Sequence, residues 1–165
     1  MASFLEAFNR ITGRIEDFFL TYLVIVMTLA IFVQVIMRYV FNNSLSWTEE
    51  FATLCFMWLT WIGASNGVKR NAHIRILVLV DLMKEKYRNW AMVLIDAVWL
   101  VFSALLVRYG ANMVILSFEK RRISAALEVP MYFMYFSVVL GGFLMCLGLL
   151  SSIIARWSRA MGREG

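Results

Sequence analysis

The chain has 165 residues, of which 62% are hydrophobic and 16% are charged, and its formal net charge is +5 at pH 7. This apolar share is far above that of a soluble domain of similar size, so the sequence predicts an integral membrane protein. Membrane-spanning segments use most of the length, which leaves no soluble domain to carry a nucleic-acid-binding face. The basic loops are instead expected to lie beside anionic lipid.

Four apolar stretches are long enough to cross a membrane, because roughly 20 apolar residues in a helix span about 30 Å of hydrocarbon. They cover residues 18–41, 48–68, 91–116 and 131–155. The first is longer than the core of a signal peptide and lacks a small-residue cleavage site, so we expect it to be retained. The pattern predicts an all-α membrane protein, one domain of four transmembrane helices with short amphipathic interfacial helices.

The distribution of Lys and Arg predicts the orientation, because cytoplasmic loops carry an excess of these residues. One side of the membrane would hold Arg10, Arg14, Lys69, Arg70, Arg75, Lys84, Lys86, Arg88, Arg156, Arg159 and Arg163. The loops on the opposite side contain only Lys120, Arg121 and Arg122. Both termini are therefore expected in the cytoplasm.

Two segments beside the apolar stretches have amphipathic patterns. Residues 1–17 mix apolar and charged side chains at helical spacing, which fits either an interfacial helix or an extension of the first crossing. Residues 73–88 combine an apolar piece, 74–80, with a charged one, 81–88. We favour an interfacial helix on the cytoplasmic face there, although residues 76–80 alone also fit a strand.

Polar residues gather at the corner between the first and second crossings. Gln34 and Arg38 are four residues apart, hence on one helix face, and Gln34 can hydrogen-bond to a neighbouring helix. Glu49 and Glu50 either favour the N-terminal dipole of the second helix or include a partner for Arg38 that locks the hairpin. Trp47 fits the interfacial aromatic belt.

The second crossing is uncharged from Phe51 to Val68 and ends in a basic group. Trp58 and Trp61, three residues apart, favour either an intersubunit patch or contact with lipid. Lys69, Arg70 and His73 follow directly, and we expect them to contact phospholipid headgroups at the cytoplasmic surface.

The third and fourth crossings carry two charges and several glycines. Asp96 and Arg108 lie about 18 Å apart along a helix, so they cannot pair with each other. Asp96 is either a coupling acid or a structural hydrogen-bonding group. Gly141 and Gly142 allow close approach of another backbone, but the spacing does not identify which one.

The loop between these crossings contains a predicted helical fragment and ends at Pro130, which suits the first turn of the fourth helix.

The residue inventory does not favour an enzyme. His73 is the sole histidine of the sequence, so paired axial haem ligands are missing. Cys55 and Cys146 are isolated in apolar sequence, unlike the paired cysteines of a disulfide oxidoreductase. There is no glycine-rich phosphate loop, no metal-ligand cluster and no nucleophile with a base. We therefore predict no catalytic residue, no cofactor and no metal.

Short motifs along most of the chain resemble those of one transporter family. They are Arg38-Tyr39, residues 44–50 (SLSWTEE), Trp58, residues 62–64 (IGA), Arg70, His73-Ile74, residues 124–132 (SAALEVPMY) and Gly141-Gly142. Their order and spacing are similar to those of the small membrane subunit of tripartite ATP-independent periplasmic (TRAP) transporters, the DctQ-like family.

The resemblance implies an accessory scaffold subunit in the bacterial inner membrane. In such a system a periplasmic binding protein delivers an organic anion, such as a dicarboxylate or a sialic acid, and a large membrane subunit carries the substrate and sodium sites. The residues that we assign to structure or interfaces are Arg38, Trp47, Glu49, Glu50, Trp58, Gly63, Gly141 and Gly142. The alternative is a self-sufficient homodimeric transporter with Asp96 or Glu49 as its coupling acid.

Overall fold

A computed structural model describes residues 2–69 and 85–161, with side chains for residues 12–69 and 91–154. It contains four helices, α1 (Ala2–Tyr39), α2 (Ser46–Lys69), α3 (Glu85–Glu119) and α4 (Met131–Met161). Within them, Thr12–Tyr39, Ser46–Lys69, Ala91–Glu119 and Met131–Ile154 are long and apolar enough to cross a membrane. These spans confirm the prediction of an all-α membrane protein with four transmembrane helices.

The first helix continues through the N-terminal segment without a break. Of the two alternatives for residues 1–17, the structure has the extension of the first crossing. Most of the interfacial helix expected between the second and third crossings falls on residues 70–84, outside the described residues. The backbone of the last four residues of that segment, 85–88, belongs to α3.

The four helices are arranged as an open row in the order α1, α2, α4, α3. Helix α1 packs mainly on α2 and touches α4 slightly, while α3 packs on α4. In the part of the chain that the structure describes, α1 and α3 make no contact with each other. The two outer helices therefore present long apolar faces, with exposed residues such as Phe32 and Val98, to lipid or to another protein.

Adjacent glycines let the central helix α4 approach a neighbour on each side. A Cβ on Gly141 would lie 2.6 Å from the backbone oxygen of Trp61 in α2, and one on Gly142 would lie 3.0 Å from Cγ2 of Val107 in α3. Successive residues point about 100° apart around a helix, so the two glycines serve different neighbours. The neighbours that approach these glycines are therefore helices of the same chain.

Trp58 packs among rings of its own chain. Its ring centroid lies 6.3 Å from that of Phe19 in α1 and 5.1 Å from that of Phe133 in α4. The side chain is half-buried. Trp58 therefore packs between α1 and α4 of its own chain. This position differs from both predicted alternatives, the intersubunit patch and the contact with lipid.

The loop between α3 and α4 is a turn closed by a short antiparallel bridge between Ile123 and Pro130. The backbone N–H of Ser124 donates to the carbonyl of Val129 at 2.9 Å. The prediction of a helical fragment in this loop is therefore wrong, since backbone hydrogen bonds join the two sides of the loop. Two residues, Arg121 and Glu128, take the left-handed conformation that such a compact turn needs.

Candidate functional site

Two polar clusters hold the chain together at opposite ends of the α1–α2 pair. We call the end with residues 40–45 and 120–130 the loop end, and the opposite end the terminal end. The loop-end cluster consists of Gln34, Glu49, Glu50 and the turn that begins at Ser124. Because α1 and α2 are antiparallel, residues from the end of one helix and the start of the next meet there.

Gln34 and Glu49 join α1 to α2 at the loop end. The side-chain amide nitrogen Nε2 of Gln34 donates a hydrogen bond to Oε1 of Glu49 at 2.6 Å. Gln34 is buried, while Glu49 is exposed. The hydrogen bond that the sequence predicted for Gln34 is therefore formed with a carboxylate, which makes it a charge-assisted bond.

Glu50 holds the distant turn against the start of α2. Its oxygen Oε2 accepts hydrogen bonds from the backbone N–H groups of Ala126 at 2.9 Å and of Leu127 at 2.8 Å. The hydroxyl of Ser124 donates to the same oxygen. Sequence reasoning missed this contact because nothing local links Glu50 to a turn 74 or more residues away. One signal was available, since the motifs that contain Glu50 and Ser124 both belong to the resemblance.

Arg38 lies beside this cluster but does not join it. Its side chain is exposed, and it forms no ion pair with any carboxylate of the described residues. This placement differs from the predicted pairing of Arg38 with Glu49 or Glu50, because both acids have other hydrogen-bond donors. Trp47 is 45% exposed at the same end, as an interfacial residue would be.

The terminal-end cluster is built around a buried ion pair between α1 and α2. The ammonium Nζ of Lys69 lies 2.6 Å from Oε1 of Glu16, and the two side chains are only 5% and 6% exposed. Lys69 also donates to Oγ1 of Thr12 at 3.1 Å, and Ser65 donates to Glu16 at 3.4 Å. The pair is thus sealed and partly hydrogen-bonded, the condition under which a buried ion pair is tolerated.

A second bond lies beside this pair, from Nδ2 of Asn66 to Oδ1 of Asp17 at 2.6 Å. Sequence reasoning missed the whole cluster, although its signal was present: two acids precede the first crossing and a lysine closes the second. In an antiparallel hairpin these positions meet. Lys69 therefore binds an acid of its own chain, which differs from the predicted headgroup contact. Arg70 and His73 lie outside the described residues.

Between the two clusters, α1 and α2 leave an open apolar groove of about 380 Å³. Gly63 forms part of its lining, with Leu20, Thr21, Val24, Ile25 and Leu59. A Cβ on Gly63 would lie 3.9 Å from Leu20, which is ordinary contact. Gly63 is therefore not a close-packing residue of the kind that Gly141 is.

The remaining acidic and thiol groups of the described residues do not gather into a third cluster. Asp96 is buried in α3, and Cys55 and Cys146 are free thiols. No group of three or more His, Cys, Asp or Glu is placed to hold a metal ion among the described residues. The arrangement of the described residues serves to hold helices together. It consists of the two polar clusters, one glycine contact on each side of α4 and two exposed outer helices.

Comparison with known proteins adds a family to this geometry. The family model of the DctQ component of tripartite ATP-independent periplasmic transporters matches residues 27–159. Over 105 residues the chain is 36% identical to the C4-dicarboxylate TRAP transporter small permease protein DctQ of Vibrio cholerae, an alignment that covers 64% of this chain and 45% of that protein. The chain thus spans less than half the length of this relative.

Two further relatives are less similar in sequence but differ in how much of their length the chain matches. The chain is 26% identical over 154 residues to the sialic acid TRAP transporter small permease protein SiaQ of Vibrio cholerae, covering 90% of this chain and 85% of that one. It is 24% identical over 107 residues to the isethionate TRAP transporter permease protein DctMQ of Oleidesulfovibrio alaskensis, covering 65% and 17% respectively. In the last case the matching segment is a small part of a much longer polypeptide.

Proposed function

This chain belongs to the DctQ component family of tripartite ATP-independent periplasmic transporters, and from that premise we propose that it is the small scaffold subunit of a transporter for organic anions. It is a multi-pass protein of the bacterial inner membrane. Its task is mechanical: it supplies a fixed wall of helices against which a larger membrane subunit moves.

The observation that carries this proposal is the way the polar side chains of the described residues are used. Glu16 binds Lys69, Glu49 binds Gln34, and Glu50 binds the turn that begins at Ser124. Each contact joins two separate elements of the chain. Charged groups inside a membrane are costly unless they are paired or hydrogen-bonded, and the bonds that these acids form fix helices and a loop in place.

The large membrane subunit is the main partner that we propose. The long polypeptide of the DctMQ relative, of which the matching segment is 17%, supports an arrangement in which a segment like this one works beside a larger membrane part. The exposed apolar faces of α1 and α3 supply the surfaces for such a contact. Substrate and sodium sites would then belong to the large subunit.

The substrate is proposed as an organic anion on the basis of the relatives. The names of the three compared proteins mention C4-dicarboxylate, sialic acid and isethionate, all of which carry a negative charge at neutral pH. Uptake is proposed to be coupled to sodium and to depend on a periplasmic binding protein. None of the described side chains has to bind the anion in this scheme.

The orientation that we propose places both termini in the cytoplasm, so that the loop end faces the periplasm. That end would then offer Trp47 and the exposed basic residues Lys120, Arg121 and Arg122 to the binding protein. Arg70 and His73 remain our proposed headgroup contacts on the other side. Reporter domains fused after Gly165 test the orientation: a cytoplasm-dependent fluorescent reporter is expected to be active there and a periplasm-dependent phosphatase inactive.

The experiment that tests the function is purification of the tagged chain from its native membrane in mild detergent, followed by identification of what is bound. We expect a many-helix membrane protein in stoichiometric amount. Reconstituted vesicles with both proteins and the binding protein are expected to take up the anion only when sodium is outside. Vesicles that contain this chain alone are the control, and they should take up none.

Uptake by the chain alone would overturn the scaffold proposal in favour of a self-sufficient transporter. Glu49 and Asp96 would then be the first residues to replace. Glu49 is exposed and hydrogen-bonded to Gln34, and Asp96 is buried in α3.

A further inference from the structure

Helix α3 carries a charged residue on a membrane-facing surface. Arg108 lies inside the apolar span Ala91–Glu119, and its side chain is exposed. If about 30 Å of hydrocarbon is centred on this span, Arg108 lies about 10 Å inside the nearer boundary. A cation at that depth is unfavourable unless something neutralises it.

The position of Arg108 around the helix separates it from the rest of the chain. Ser103, Gly110 and Ser117 are buried, and a Cβ on Gly110 would lie 3.1 Å from Val139 and 3.4 Å from Val138 of α4. They are spaced seven residues apart and therefore form one seam. At 100° per residue, Arg108 lies on the opposite side of α3 from that seam.

The same side carries a continuous exposed stripe, which we call the Arg108 face. Its members lie at helical spacing and are Val101, Leu105, Arg108, Asn112 and Ile115. Asn112 is one turn from Arg108, so its amide also needs a polar partner within the membrane. Two adjacent polar side chains framed by apolar ones form a surface that fits a protein helix better than it fits acyl chains.

Nothing in the described part of the chain neutralises Arg108. The ion pair formed there joins Glu16 and Lys69, and Asp96 is about 18 Å away along the same helix. Of the acids near the ends of the spans, Glu49 and Glu50 already accept hydrogen bonds, and Glu119 lies about 16 Å from Arg108 along α3. Among the described residues, a second copy of this chain therefore offers no free acid at the depth of Arg108.

We propose that the Arg108 face is the docking surface for a membrane-spanning helix of the large subunit, and that this helix places a carboxylate against Arg108. The inference rests on the proposed function and names the surface that it uses. An intramembrane pair of this kind fixes both the depth and the rotation of the partner helix, because its position along α3 is set by a single guanidinium. Asn112 adds a second polar contact one turn away.

The test compares how much large subunit co-purifies with tagged wild-type chain and with Arg108→Met, Arg108→Lys and Arg108→Glu. We expect recovery to fall by about tenfold or more for Met and Glu, since the carboxylate of the partner loses its counter-charge, and to fall less for Lys. Arg14→Met, which removes an exposed cation near the terminal end of α1, is the matched control and should leave recovery of the large subunit unchanged. Thermal unfolding of the isolated chain should be the same for all variants.

A charge exchange completes the test. Acids in the spans of the large subunit are replaced one at a time by Arg, and one of them is expected to restore recovery with Arg108→Glu. If the Arg108→Met variant still co-purifies with the large subunit, the inference is wrong. If that variant also loses co-purified anionic phospholipid, Arg108 binds lipid headgroups instead. If even wild-type chain brings down no large subunit, the proposed function fails together with this inference.

Discussion

The two outer helices are attached to the centre of the molecule in different ways. Helix α1 is pinned to α2 by polar contacts at both ends, the Gln34–Glu49 bond and the Glu16–Lys69 pair, with an open groove between them. Helix α3 packs along α4 through small residues such as Gly110 and Gly142. The first attachment depends on a few side chains, and the second is spread along the helix, so single substitutions should affect them unequally.

The largest effect is expected for Lys69→Met, which breaks the buried pair. It leaves the carboxylate of Glu16 buried without its counter-charge, and removal of one partner of a buried pair destabilises by about 3–5 kcal/mol. The free energy of unfolding in mild detergent measures this. A thiol-reactive dye can report it, because Cys55 is buried and becomes reactive on unfolding; Cys146→Ser serves as the common background.

Two comparisons decide whether the pair itself is responsible. The double variant Glu16→Gln with Lys69→Met should recover part of the loss, because no unpaired charge is left buried. Lys120→Met, in the exposed loop, should be neutral. If Lys69→Met were as stable as the wild type, the packing of α1 on α2 would not depend on the Glu16–Lys69 pair.

The next effect is expected for Gly141→Ala, which tests the packing of α4. The new Cβ would lie 2.6 Å from the backbone oxygen of Trp61, so α2 and α4 must separate, at a cost of about 1–3 kcal/mol. The same dye assay measures it. Gly63→Ala is the matched control, since its Cβ meets only Leu20 at 3.9 Å and a helix gains from Ala. Equal stability of the two variants would contradict the close approach.

The sequence predicted the helices of this protein better than it predicted the contacts between them. Four apolar stretches were enough to predict four helices that can cross a membrane, because length and hydrophobicity are properties of each segment alone. The Glu16–Lys69 pair joins residues 53 positions apart, and only the geometry of the hairpin brings them together. Gly141 and Gly142 indicated close packing, but the neighbour of each depends on the order of the helices, which periodicity does not encode.

A smaller effect is expected for Glu50→Ala, which frees the turn between α3 and α4. The carboxylate accepts three hydrogen bonds from that turn, and water can replace part of them because the site lies at the surface of the chain. Because the loss is local, we expect faster trypsin cleavage at Lys120 to Arg122, mapped by mass spectrometry. Glu49→Ala removes a bond to α1 only and should leave this cleavage unchanged. Similar rates for both acids would contradict the division of roles between them.

The smallest effect on the chain itself is expected for Arg38→Ala. Arg38 is exposed and has no ion pair among the described residues, so the free energy of unfolding should change by no more than about 0.5 kcal/mol. Recovery of the large subunit, or uptake by the assembled transporter, should nevertheless fall, since a cation that no described side chain neutralises is available to a partner. Arg38→Lys, which keeps the charge, should retain more of both. Unchanged assembly and uptake with Arg38→Ala would remove Arg38 from the interface, and a clear loss of stability would instead reveal a contact inside the chain, like those that pin α1 at its two ends.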